Sequence, residues 1–73
     1  MLVDSEAMRE VVYDRRRRTL RIRFADGGWW QYFDVPQPVH NGLIEAESHG
    51  RYFHEHIRGR YRYERFDTPR SQV

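Results

Sequence analysis

The sequence predicts an α+β domain: a three-stranded antiparallel β-meander followed by two short helices packed on one face. Three observations carry this. Two stretches of alternating or β-rich residues flank a strong Asp-Gly-Gly hairpin signal. After Val35-Pro36 the apolar spacing changes from two residues to three and four. With 73 residues and no cysteine, the chain must form one small core without disulfide or thiolate-metal staples.

The first strand is expected at Met8–Tyr13 (MREVVY), which is rich in β-formers. Asp14 then opens a polar turn through Arg15, Arg16, Arg17 and Arg18, where its carboxylate can accept from the backbone ahead. Thr19–Ala25 (TLRIRFA) alternates, with Leu20, Ile22 and Phe24 on one face and Arg21 and Arg23 on the other. That is the pattern of a half-buried strand. Asp26-Gly27-Gly28 turns the chain, and Trp29–Asp34 (WWQYFD) returns as the third strand.

Loop length decides which face the third strand's rings occupy. A two-residue Asp26-Gly27 turn sends Trp29 and Phe33 to the core and leaves Trp30 and Tyr32 beside Arg21 and Arg23. A three-residue loop does the reverse: Trp30 and Tyr32 enter the core, while Trp29, Gln31 and Phe33 join the arginines. The Asp-Gly pair favours the first register; the burial of Gln31 that it requires argues against it. Both registers leave at least two aromatics on the face of Arg21 and Arg23.

Val35-Pro36 ends the sheet, because proline cannot donate to a ladder. A helix can begin at Pro38, with Val39, Leu43 and Ala46 on one face. Gly42 weakens it by about 1 kcal/mol relative to alanine. Ser48 is placed to cap a second helix, Gly50–Ile57, in which Phe53 and Ile57 lie four residues apart, and Gly59 ends it. Arg60–Phe66 (RYRYERF) alternates again, as either a short fourth strand or an extended tail. Residues 1–66 thus read as a single domain, and Asp67–Val73 as a frayed polar tail.

All thirteen basic residues are arginine, yet eleven acids leave a formal net charge of only +2. Such a chain is too balanced to bind polyanions indiscriminately, so a basic site has to arise from local clustering. Guanidinium groups stack on rings and fork onto phosphate in ways an ammonium cannot. No apolar run approaches the length of a membrane span, and the N-terminus lacks a signal-peptide core, so a cytoplasmic protein is expected.

The ordered set of residues resembles the KTSC domain, named for its occurrence at the C-terminus of some lysyl-tRNA synthetases. It runs from Ser5 and Met8 through Tyr13-Asp14, Thr19-Leu20, Phe24 and Gly27-Gly28 to Trp30-Gln31-Tyr32-Phe33. It continues with Val35-Pro36, Val39, Leu43, Ala46, Ser48, Gly50, Tyr52-Phe53 and Ile57, and ends with Tyr61 and Tyr63. The family's central Tyr-x-Tyr stands here as Trp30-Gln31-Tyr32, which keeps a stacking ring and loses a hydroxyl. The resemblance implies a small domain that elsewhere rides on an RNA-handling enzyme. It implies RNA binding as a role and brings no catalytic residues.

Four groups of residues carry the candidate chemistry. Arg15–Arg18 would project a compact positive tip able to straddle phosphates, unless it is simply a solvated turn. Arg21 and Arg23 with Trp30 and Tyr32 would form a face on which single-stranded nucleic acid stacks. The competing account is structural: arginine on a ring stabilises a sheet by itself. Arg58 and Arg60 would extend the basic surface, or pair with Glu55 and Glu64. His49, His54 and His56 lack metal-ligand spacing, because His54 and His56 fall on different sides of a helix. A domain of this size is expected to leave little room for an enzyme-sized pocket. The expected function is therefore a non-catalytic module with no cofactor, no metal and no membrane partner. Its partner would be RNA or another single-stranded nucleic acid, or alternatively a protein.

Overall fold

A computed structural model describes residues 7–66. The tail expected at Asp67–Val73 lies outside the described residues. The chain runs β1 (Met8–Asp14), β2 (Thr19–Phe24), β3 (Trp29–Tyr32), α1 (Gln37–Glu45), α2 (His49–His56) and β4 (Tyr63–Phe66). The strands form one sheet in the order β1-β2-β3-β4, with every neighbouring pair antiparallel. The alternating C-terminal segment is thus a strand over Tyr63–Phe66, paired to β3 with Tyr63 opposite Tyr32.

Local chemistry accounts for the turns. Asp14 Oδ1 accepts from the backbone N–H of Arg16 at 3.0 Å and of Arg17 at 3.2 Å, closing the β1–β2 connection. Arg18 leaves that turn in the left-handed region, and its carbonyl accepts from Val35 N–H at 2.9 Å. The β2–β3 loop has three residues, Ala25-Asp26-Gly27. Phe24 N–H donates to Gly28 O at 2.9 Å across its neck, and Gly27 takes φ +92°. That positive φ is why glycine stands there. Asp34 also lies in the left-handed region, at φ 57°, so β3 ends at Tyr32, two residues short of the expected end.

The strand pairing selects one of the two registers. Arg23 faces Trp29, Ile22 faces Trp30, Arg21 faces Gln31 and Leu20 faces Tyr32. The three-residue loop sits one residue earlier than expected, which leaves the parity of β3 unchanged. Trp30 and Tyr32 therefore point to the helix side. The outcome has a polar cause as well: the opposite parity would have buried Gln31. Here Gln31 Oε1 accepts from Arg21 Nε at 2.8 Å on the other face.

Both helices cover a single face. Leu43 of α1 and Phe53 of α2, with Ile57 just beyond, pack against Met8, Val11, Leu20, Ile22, Tyr32 and Val35. Helix α1 starts at Gln37 with Pro36 as its N-cap, one residue before the expected Pro38, and Ala46 does not join its apolar face but ends it in an extended conformation. Ser48 caps α2 as expected, its Oγ accepting from Arg51 N–H at 3.2 Å. Gly59, at φ +77°, lets the chain turn away after α2. Tyr13 donates its hydroxyl to Val35 O and stacks on His40 at 4.7 Å, tying α1 to β1.

Candidate functional site

Alternation places Glu10, Val12, Arg21, Arg23, Trp29 and Gln31 on the face that the helices leave uncovered. Both helices pack on the opposite face, and Glu10, Arg21, Arg23, Trp29 and Gln31 are half-buried. Arg23 stands over the Trp29 ring at 6.0 Å and reaches Glu10 Oε1 at 3.5 Å. One step beyond β3, Phe33 N–H donates to Arg62 O, which extends the pairing with the C-terminal segment. The Arg62 guanidinium lies 4.5 Å from the Phe33 ring centre. Two rings on one face thus each carry an arginine, and Arg21 sits between them, held by Gln31. Glu10, Asp14 and Glu64 are the acids on this side of the sheet and offset Arg21, Arg23 and Arg62, so any net positive charge for a ligand comes from the adjoining Arg15–Arg18 turn.

The expected stacking face therefore needs a correction. Arg21 and Arg23 do not share a face with Trp30 and Tyr32. Tyr32 is only 3% exposed and belongs to the core, and Trp30 packs against that core. The aromatic partners of the two arginines are Trp29 and, farther along, Phe33. Loop length was the missing information, and the polarity of Gln31 was the sequence signal that pointed to the right register.

The remaining expected residues separate into two places. Arg15, Arg16, Arg17 and Arg18 are all exposed in the turn between β1 and β2. Asp14 holds that turn by its backbone and pairs only loosely with Arg17, at 4.0 Å. Arg58 and Arg60 are exposed just after α2, on the helix side of the sheet. Arg60 Nε donates to Glu55 O at 3.0 Å, while the Glu55 carboxylate pairs with Arg51 at 3.3 Å. The anticipated Arg58 and Arg60 side-chain pairs with Glu55 and Glu64 are not formed.

A pocket of about 630 Å³ opens on the helix side, between α2 and the β2–β3 and β4 end of the sheet. This runs against the expectation that so small a domain has little room for an enzyme-sized pocket, since ligand sites commonly span about 300–1,000 Å³. Rings build its walls: Phe24, Trp30, Tyr32, Phe53 and Tyr63. Trp30 and Tyr63 lie 5.1 Å apart with a 33° tilt, and Phe53 meets both Phe24 and Tyr32 edge-on. Arg58 and His54 stand at the rim, 3.3 Å apart. Burial pushes the Tyr32 hydroxyl up to about 12, helped by Tyr63 and opposed by Arg58. The phenol therefore stays a neutral donor at any physiological pH.

The histidines go separate ways. His49 Nδ1 meets Leu43 O at 2.7 Å, His54 faces Arg58, and His56 stacks on Tyr52 at 4.3 Å. Among the described residues, no group of three or more His, Asp or Glu could hold a metal ion. No described helix is long and apolar enough to cross a membrane.

Fold and surface together define a small α+β meander domain with both helices packed on one sheet face and an arginine-rich face on the other side. The model of the KTSC domain matches residues 4–61, and the chain belongs to the KTSC domain family. It is similar to the lysine–tRNA ligase of Trichormus variabilis, 32% identical over 80 residues that cover 88% of this chain. The chain spans about 14% of that ligase's length, so the shared part is this domain and not the ligase's catalytic part. An uncharacterised protein of Stutzerimonas stutzeri is 35% identical over 66 residues, covering 89% of this chain and 93% of that protein. The crystal structure of a KTSC domain protein from Yersinia pestis superposes with a TM-score of 0.88 at 32% identity. It covers 90% of this chain and 93% of the other.

Proposed function

We propose that this domain is a non-catalytic module that binds single-stranded RNA across its open sheet face. The observation that carries the reading is the pairing of Trp29 with Arg23 and of Phe33 with Arg62 on the sheet face opposite the helices. Base–aromatic stacking contributes about 1–3 kcal/mol per base, and neighbouring guanidiniums hold the strand's phosphates. The exposed Arg15–Arg18 turn stands at one end of the same strands, where it would meet the backbone of a strand lying across the face. The occurrence of the domain within lysine–tRNA ligases, whose substrate is an RNA, is consistent with this role.

Fluorescence anisotropy of a labelled single-stranded RNA, titrated at two salt concentrations, tests the proposal. Affinity should fall as salt rises, with a log–log slope near 0.7 per phosphate contacted. Replacing Arg15 and Arg16 together by alanine should flatten that slope. Absence of any salt-sensitive binding at low salt would sink the idea. Retention of a protein partner from nuclease-treated lysate, with no RNA affinity, would mark the domain as a protein-interaction module instead.

A further inference from the structure

The open face does not account for the aromatic pocket on the opposite side of the sheet. Trp30, Tyr63 and Phe24 present rings from three different strands, and Phe53 of α2 closes the side. Flat walls of this kind favour a flat guest, which can stack or sit edge-on against several rings at once.

Charge narrows the choice. The ionisable residues of the lining are Asp26, Arg58, His54 and the two tyrosines. Asp26 is already engaged: one carboxylate oxygen accepts from Gly28 N–H at 2.9 Å, and the other pairs with Arg65 at 3.5 Å. Arg65 in turn lies over Trp30 at 5.7 Å. Arg58 differs, because among the described residues it pairs with no carboxylate; its guanidinium meets the His54 ring at 3.3 Å and stands near enough to Tyr32 to oppose the rise of that hydroxyl. Its guanidinium is thus the charge at the rim left for a ligand, above a neutral Tyr32 hydroxyl. A planar aromatic body with one anionic group meets both demands.

We propose that the pocket binds a phosphorylated nucleoside, its base against the Trp30–Tyr63 wall and its phosphate on Arg58. A free mononucleotide and the phosphorylated end of an RNA strand present the same group. This site is separate from the open face, and its failure would leave the open-face proposal untouched.

Backbone amide shifts of the ¹⁵N-labelled domain distinguish the two surfaces. Titration with adenosine monophosphate or uridine monophosphate should move the amides of Gly50, Gly59 and Ala25 saturably, and leave Arg21 and Gln31 in place. Arg58→Met, an exposed substitution whose folding is checked by the unaltered remainder of the spectrum, should weaken nucleotide binding by about tenfold or more, the scale of a charge-assisted hydrogen bond. Binding of the unphosphorylated nucleoside should be unchanged by that substitution. A 5′-phosphorylated dinucleotide compared with its unphosphorylated form shows whether a strand end is accepted as well as a free nucleotide. Absence of saturable shifts at the pocket with either monophosphate, or equal affinity in Arg58→Met, overturns the proposal.

Discussion

The ring of Tyr52 on α2 fills the space that a side chain on Gly42 of α1 would need. A Cβ built at Gly42 would lie 2.6 Å from Tyr52 Cζ and 2.9 Å from Cε2. The glycine that weakens α1 as an isolated helix is the residue that allows the two helices to approach. Local propensity and tertiary packing are opposed here, and packing prevails.

Gly42→Ala should therefore destabilise the domain. The gain of about 1 kcal/mol in helix propensity is outweighed by overpacking, which costs about 1–3 kcal/mol where neighbours must move. Urea unfolding should show a lower midpoint. In a Tyr52→Ala background the same substitution should become neutral or stabilising, and a double-mutant cycle measures that coupling.

The two adjacent tryptophans should behave differently. Trp29 lies on the open face and Trp30 packs against the core and the pocket. Trp29→Ala should cost about 1–3 kcal/mol of RNA affinity with little change in the unfolding midpoint. Trp30→Ala should lower the midpoint first. Equal losses of RNA affinity from both, at unchanged stability, would contradict the assignment of faces.

His40 should make the domain acid-sensitive. Its ring stacks on Tyr13, its Nδ1 is buried without a hydrogen-bond partner, and burial lowers its pKa below the ordinary value of 6.5. The unfolded chain therefore takes up a proton first as the pH falls below about 6.5, and stability declines until the folded form is protonated too. His40→Phe keeps a ring against Tyr13 and removes the titration. Thermal midpoints measured between neutral and mildly acidic pH should fall less steeply in that variant.

Tyr32 should act at the alkaline end. Its folded pKa near 12 exceeds the ordinary value of 10.0, so its contribution is complete below pH 10 and is lost as the pH climbs toward 12. Tyr32→Phe should flatten the alkaline decline in stability. In a spectrophotometric titration it should remove a phenol that ionises near pH 12.

Much of the fold is legible from short-range chemistry. Asp14 was expected to bond the backbone ahead of it and does, and Ser48 caps α2. The alternation of Leu20, Ile22 and Phe24 with Arg21 and Arg23 gives β2 its two faces without any tertiary knowledge. The candidate site is less legible. Arg21 and Arg23 lie on an open face beside aromatics, as either register required, but the ring on that strand is Trp29 rather than Trp30 and Tyr32. The pocket is not legible in the sequence, because its walls come from β2, β3, α2 and β4, which no local pattern relates.

The sequence by itself determined the elements, their order and the presence of an arginine face with aromatics. These follow from periodicity, turn residues and caps, all of which act within a few positions. Only the tertiary structure decided which rings share that face and whether a pocket exists. A strand's faces alternate with a period of two, so one residue more or less in the Ala25-Asp26-Gly27 loop exchanges them all. The balance between those loops is struck by burying Ile22, Tyr32 and Phe53 together while Gln31 finds Arg21 outside, a sum over contacts distant in the chain.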